Sequence, residues 1–140
     1  MDDEVQYIDL GLSSKTLWSP KSESGFYNFD EAQSKFGSRV PTKAQFQELI
    51  DECNWTWVNN GFKVVGKNGN SITIKAGGFS DEEGDWCVGS ECDYWTSTAP
   101  RDQVANYFIG WYDDEEGADL SVEIEDKTAK LTVHLVKAAE

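Results

Sequence analysis

The order of patterns along this 140-residue chain predicts an α+β domain with an antiparallel sheet. Two short helical patterns, each opened by a capping box, stand together in the first third. From Asn54 onward the apolar period drops to two, in short runs separated by turn residues. Six Trp, five Tyr and seven Phe make up 13% of the chain, enough large side chains for one core. The expected architecture is a single domain over 1–140: two short helices packed on a twisted antiparallel sheet with long loops.

The elements follow in order. Residues 5–10 read as a first strand ending at Gly11, and Leu17-Trp18 as a second extended piece. Residues 19–27, with Pro20, Gly25 and several serines, read as loop. Asn28 caps a helix over 29–36, Glu31 stands at the capping-box position, and Gly37 closes it. Thr42 with Gln45 opens a second helix of about 43–53, whose Phe46, Leu49, Ile50 and Cys53 form one buried stripe. Trp55–Val58, Phe62–Val65 and Ser71–Lys75 read as strands joined by Asn-Gly turns. Residues 76–93, glycine-rich and acidic, read as a long loop. Tyr94–Thr98 and Val104–Trp111 are strands, the latter apolar on both faces and so central, with Trp95, Tyr107 and Trp111 expected in the core. After the acidic turn 113–117, Asp119–Glu125 alternates with Leu120, Val122 and Ile124 inward. Leu131, Val133 and Leu135 repeat that pattern and point His134 outward.

The formal net charge is −14 and is unevenly placed. Residues 1–80 carry 10 acids and 8 bases, whereas residues 81–140 carry 16 acids and 4 bases. Such a surface repels phosphate backbones and anionic membranes, which argues against nucleic-acid and membrane partners. It suits a basic or cationic partner. The acidic start Met1-Asp2-Asp3-Glu4 lacks the basic and apolar regions of a secretory leader. No apolar run approaches the roughly 20 residues of a membrane span. The expected location is cytoplasmic or on a particle assembled there.

Cys53, Cys87 and Cys92 are an odd set, which argues against a disulfide framework. Cys53 reads as a core thiol. Cys87 and Cys92 leave three readings open: structural thiols, a local disulfide, or part of a soft-metal site.

Several phrases are more specific. They are Tyr7-Ile8-Asp9-Leu10-Gly11-Leu12 with Thr16-Leu17-Trp18, Val40-Pro41-Thr42-Lys43-Ala44-Gln45-Phe46, Cys53-Asn54-Trp55-Thr56-Trp57, Gly66-Lys67-Asn68-Gly69-Asn70, Ala76-Gly77-Gly78-Phe79 and Tyr94-Trp95-Thr96-Ser97-Thr98. In this order they resemble the Fibrobacter succinogenes major paralogous domain, a branch of the C-type-lectin-like fold shared with the formylglycine-generating enzyme. The resemblance covers roughly residues 5–111. The chain departs from the family in a compressed segment after Trp18, and in Thr132-Val133-His134-Leu135-Val136 in place of a Ser-Val-Arg-Pro-Val-like ending.

The resemblance implies a non-catalytic binding or display scaffold with recognition on its loops. With no leader seen, the expected setting is a phage virion surface: a capsid decoration, head fibre or host-attachment protein, with capsid or fibre proteins as partners. No cofactor is expected; the alternative is a carbohydrate-binding surface module of a gut bacterium, for which calcium dependence stays open. The contact candidates are Trp86, Tyr94, Tyr112, Asp113 and Asp114. The weaker calcium candidates are Asp81, Glu83, Asp85 and Glu115, since clustered carboxylates suit a hard cation. Homo-oligomerisation stays open. Catalysis is not expected: the single His134 has no sequence partner for a triad. Consecutive acids in a glycine loop do not hold the fixed separation that glycoside hydrolysis needs.

Overall fold

The computed structural model describes residues 6–138. Of the predicted first strand it keeps Ile8–Asp9 (β1); Val5 lies outside the described residues. Leu17–Trp18 (β2) pairs with β1 on one side and with Val136–Lys137 (β11) on the other. Segments near the start and the end of the described residues are thereby tied into one small sheet.

Both helices form where their caps place them. In Phe29–Phe36 (α1) the Asn28 side chain accepts from the Glu31 N–H at 2.8 Å, and Glu31 accepts from the Asn28 N–H at 2.9 Å. In Lys43–Glu52 (α2) Thr42 and Gln45 exchange the same pair of bonds. Each box satisfies two amide groups that a helix start otherwise leaves without partners. Among the described residues no helix is long and apolar enough to cross a membrane.

The strands divide into separate antiparallel groups instead of the single expected sheet. Asn54–Trp57 (β3), Gly61–Val65 (β4) and Ser71–Lys75 (β5) form one meander. Phe79–Asp81 (β6) and Gly84–Trp86 (β7) form a hairpin inside the segment predicted as loop. Gly78 makes this return possible: any side chain at its φ of +65° would be strained and would collide with the Trp86 carbonyl. Glu91–Trp95 (β8), Val104–Asp113 (β9) and Gly117–Asp126 (β10) form the third sheet, with β9 central as predicted.

β8 starts three residues before the predicted strand and stops at Trp95. The Thr96 hydroxyl donates to the Asn106 carbonyl at 2.7 Å and accepts from the Thr98 N–H at 3.1 Å. The backbone still bonds Asn106 across this step, Thr96 N–H to the Asn106 carbonyl and Asn106 N–H to the Thr98 carbonyl, so pairing with β9 continues irregularly past Trp95.

The β8–β9–β10 sheet is a wall between two cores. On its inner face Cys92, Tyr94 and Phe108 join Trp18, Phe46, Leu49, Phe62 and Ile74. Phe46 stacks on Phe108 with centroids 5.0 Å apart and planes 3° apart. On the outer face Trp95 and Ala105 join Phe29, Ala32 and Phe36 of α1 with Leu131, Val133 and Leu135.

Two expectations of direction are corrected. Ile124 is 50% exposed, because β10 is the sheet edge and the inner core ends at Leu120 and Val122. His134 is fully buried, because residues 131–136 are covered on both faces. Their backbone bonds the 19–27 segment on one side and Asp93 and Trp95 on the other.

Phe108→Ala is expected to cost about 3–5 kcal/mol, the usual range for emptying a buried aromatic site. Thr42→Ala is expected to cost about 1 kcal/mol through its lost cap. Urea unfolding of each variant checks both values, and a Phe108→Ala loss no larger than the cap's would contradict the stacked-core reading.

Candidate functional site

The outer face of the β8–β9–β10 sheet is covered along only part of its length. α1 has eight residues and β9 has ten. At helical and extended rises these span about 12 Å and about 34 Å. The helix covers Trp95, with Phe29 edge-on to it at 5.6 Å. Tyr107 lies at the margin of that core, and Ile109 and Trp111 pack against neither core. They are only partly exposed.

Alternation and register set what surrounds them. Ile109 stands opposite Asp93 on β8 and Ser121 on β10, and Trp111 opposite Glu91 and Asp119. Tyr107 stands opposite Glu123, and Ala105 opposite Glu125. An apolar stripe therefore runs between two rows of carboxylates. The acidic field extends beyond the sheet. An open cleft of about 740 Å³ between the β6–β7 turn and residues 125–130 is lined by Asp81, Glu82, Glu83, Glu125 and Asp126, with Lys130 as its cation.

Asp93 is the unusual member, only 2% exposed. Its Oδ2 has no donor within reach. Burial, then a carboxyl–carboxyl hydrogen bond with Glu91, then the charges of Glu91 and Glu125 push it up to about 9. Tyr107 is pushed up to about 12 by burial first and then by Asp93, Glu125, Glu91 and Glu123. These acids thus act on one patch.

The sequence-derived candidates are dispersed. Trp86 is 45% exposed, and its indole N–H donates to Asp81 Oδ1 at 2.9 Å. That bond, with the Glu83 N–H at 2.8 Å, holds the Asp81 carboxyl below its ordinary range. Tyr112 is exposed and stacks on Trp57, with centroids 6.1 Å apart. Asp113 accepts from the Glu115 and Glu116 amides, which closes the β9–β10 turn, and Asp114 and Glu115 are exposed on it. Tyr94 is corrected: it is 1% exposed, inside the inner core, with its hydroxyl donating to the Lys75 carbonyl at 2.6 Å. Trp111, expected in the core, is on the open face.

The calcium candidates sit on two hairpins. Asp81 and Asp85 occupy adjacent parities of the β6–β7 ladder and so opposite faces, with Asp85 accepting from Ser80 Oγ at 2.8 Å. Among the described residues no three carboxylate, imidazole or thiol groups converge as a metal set. All three cysteines are free, with Cys87 exposed and Cys92 buried, so the local disulfide is not formed.

His134 has partners that alternation concealed. Its Nε2 lies 2.7 Å from the Ser19 carbonyl, which only accepts, so Nε2 carries the proton. Nδ1 then accepts from Ser22 Oγ at 3.0 Å. Burial lowers His134 to about 4. A serine beside a histidine suggests a nucleophile and base, but a base this weak is poorly matched to neutral pH. Ser22 Oγ also accepts from the Lys75 N–H at 3.2 Å and lies 2.6 Å from the Tyr94 oxygen. The cluster ties residues 19–22, 75, 94 and 134 together. Ser22 is expected to remain unlabelled by a fluorophosphonate probe read by intact-mass spectrometry; stoichiometric labelling lost in His134→Gln would reverse that assignment.

No protein-family model, curated protein or solved structure matches this chain.

The two buried ionisable groups act oppositely on stability. Asp93 keeps its proton when folded and loses it when unfolded, so its contribution is full below about pH 4 and fades as pH rises toward 9. His134 is neutral when folded, so its contribution is full above pH 6.5 and fades as pH falls toward 4. Between pH 4 and 6.5 the two oppose; above 6.5 the Asp93 effect stands without that offset. Unfolding free energy is expected to decline from pH 6.5 to 9 by up to about 1.4 kcal/mol per pH unit, and Asp93→Asn to flatten that decline. Urea melts across the window check this, and parallel declines in both proteins would refute the buried proton.

Proposed function

We propose that this chain is a non-catalytic binding module that presents the open half of the β8–β9–β10 outer face to a protein partner. The observation that carries the reading is the Ile109–Trp111 stripe between Glu91 on one side and Asp119 and Glu123 on the other. A partly exposed Trp within a small apolar area, rimmed by charge, has the composition of an interaction hot spot. The carboxylate rows favour a basic partner surface and would speed its approach.

Two short helices ahead of antiparallel strands and irregular hairpins support the C-type-lectin-like reading of the fold. On that reading the setting is a phage virion surface, as a capsid decoration, head fibre or attachment protein. Virion-structural genes are expected beside its reading frame; their absence would remove the setting and leave the binding face. A second reading, glycan binding, draws on the exposed Trp86 and Tyr112. It requires a glycan-array signal lost in Trp86→Ala or Tyr112→Ala. Calcium belongs to that reading, and a melting temperature raised by calcium would support it.

The protein-binding reading is tested with Trp111→Ala. The folded protein, immobilised, is used to recover a partner, which is then purified and titrated. Trp111→Ala is expected to weaken that interaction by about 2 kcal/mol or more, the scale of a central hot-spot residue, with little change in melting temperature. Equal binding by both proteins would place the contact elsewhere.

A further inference from the structure

β10 is ten residues long and, among the described residues, has β9 as its one strand neighbour. The direction of its free backbone groups follows from the ladders. The Thr132 N–H donates to the Asp93 carbonyl, the Trp95 N–H to the Thr132 carbonyl and the Gly78 N–H to the Glu91 carbonyl. Odd residues of β8 thus point away from β9, and Cys92 and Tyr94 point toward it. Their partners Gly110 and Phe108 face β8, as does Asn106, whose N–H bonds the Thr98 carbonyl. Odd residues of β9 therefore face β10, where register pairs them with Asp119, Ser121, Glu123 and Glu125. The Asn106 side-chain amide on the Glu123 carbonyl, at 3.3 Å, agrees with that direction. Ala118, Leu120, Val122 and Ile124 are left directing N–H and C=O outward. Among the described residues none of these groups bonds another element.

An open edge of this length is a template for another strand. α2 shares the inner core with Leu120 and Val122, which leaves Ile124 50% exposed along the same row. On the opposite face the edge carries Asp119, Glu123 and Glu125. A second copy laid antiparallel on this edge would bring like charges together, which opposes self-pairing. A strand with cationic side chains on one face and aliphatic ones on the other would meet carboxylates and Ile124 respectively. We infer that β10 accepts an extended segment of a partner protein in which Lys or Arg alternates with aliphatic residues, adding a fourth strand to the sheet. This pairing uses the strand edge and does not need the Trp111 surface.

The probe is a fluorescein-labelled peptide of alternating lysine and valine, read by anisotropy against the full chain. Controls are a peptide of the same composition in block order and one N-methylated at alternate residues. The alternating peptide is expected to bind about tenfold more tightly than either control, with binding weakened by salt. Ile124→Pro removes an outward N–H without touching the β9 ladder and is expected to cost about tenfold or more. Ile124→Ala keeps the N–H and is expected to stay within about threefold, as is Trp111→Ala. Equal binding of the block-order peptide would reduce the effect to bulk charge and overturn the inference. Unchanged binding in a folded Ile124→Pro would overturn it as well. If that variant does not fold, the N-methylated peptide decides, since it removes the same bonds from the probe's side. A wild-type dimer in sedimentation that dissolves in Ile124→Pro would overturn it in favour of a second copy. Loss of partner binding in Trp111→Ala with peptide binding intact would separate the outer face from the edge.

Discussion

Tyr94 and Trp95 are consecutive residues on β8, so the pleat sends them to opposite faces of the sheet. Each is almost wholly buried, and each has its polar atom satisfied at a distance in sequence: Tyr94 at the Lys75 carbonyl, Trp95 Nε1 at the Tyr27 carbonyl at 2.8 Å. One short strand therefore anchors two cores. The inner core needs α2 and the β3–β5 meander above Tyr94 and Phe108. The outer core needs α1 and residues 131–135 above Trp95 and Ala105. A slip of one residue in β8 would exchange the two side chains and dismantle both, which is why its register is strongly specified.

The same constraint explains the buried strip at 131–136. It lies beside β8 through Thr132, pairs with Tyr27 through Leu131 and delivers Val136 to β2. A segment covered on both sides must satisfy every polar group it carries. His134 meets that requirement as a neutral ring between the Ser19 carbonyl and Ser22 hydroxyl. Its burial serves cohesion, and its low basicity makes it a poor proton acceptor at neutral pH.

The open half of the outer face follows from a mismatch in length. A two-turn helix cannot cover a ten-residue strand, and among the described residues neither core takes in Ile109 or Trp111. Beside them the chain supplies carboxylates from both neighbouring strands. Acids on an edge strand discourage self-association, and acids beside an apolar stripe select against anionic partners. Asp93 is the exception to this solvated charge. It is neutral where the outer core meets the open face, which lets an acidic row continue down into buried structure without an uncompensated charge there.

Local chemistry in the sequence was sufficient for the caps of both helices, the Asn-Gly turns, the central place of β9 and the concentration of acid after residue 80. Each of these is decided by residues within a few positions of one another. Pairing partners were not legible, because they are chosen by contacts far apart in the chain. Glu91 and Asp93 looked like loop acids until Trp111 and Ile109 were set opposite them. Tyr94 looked like an edge residue until α2 and the β3–β5 meander closed over it, and His134 until residues 19–27 and β8 flanked its strip. Which face of the sheet stays open is likewise a tertiary matter: it depends on how far α1 reaches along β9, and a helix that folds correctly by its own caps carries no information about the length of the strand it must cover.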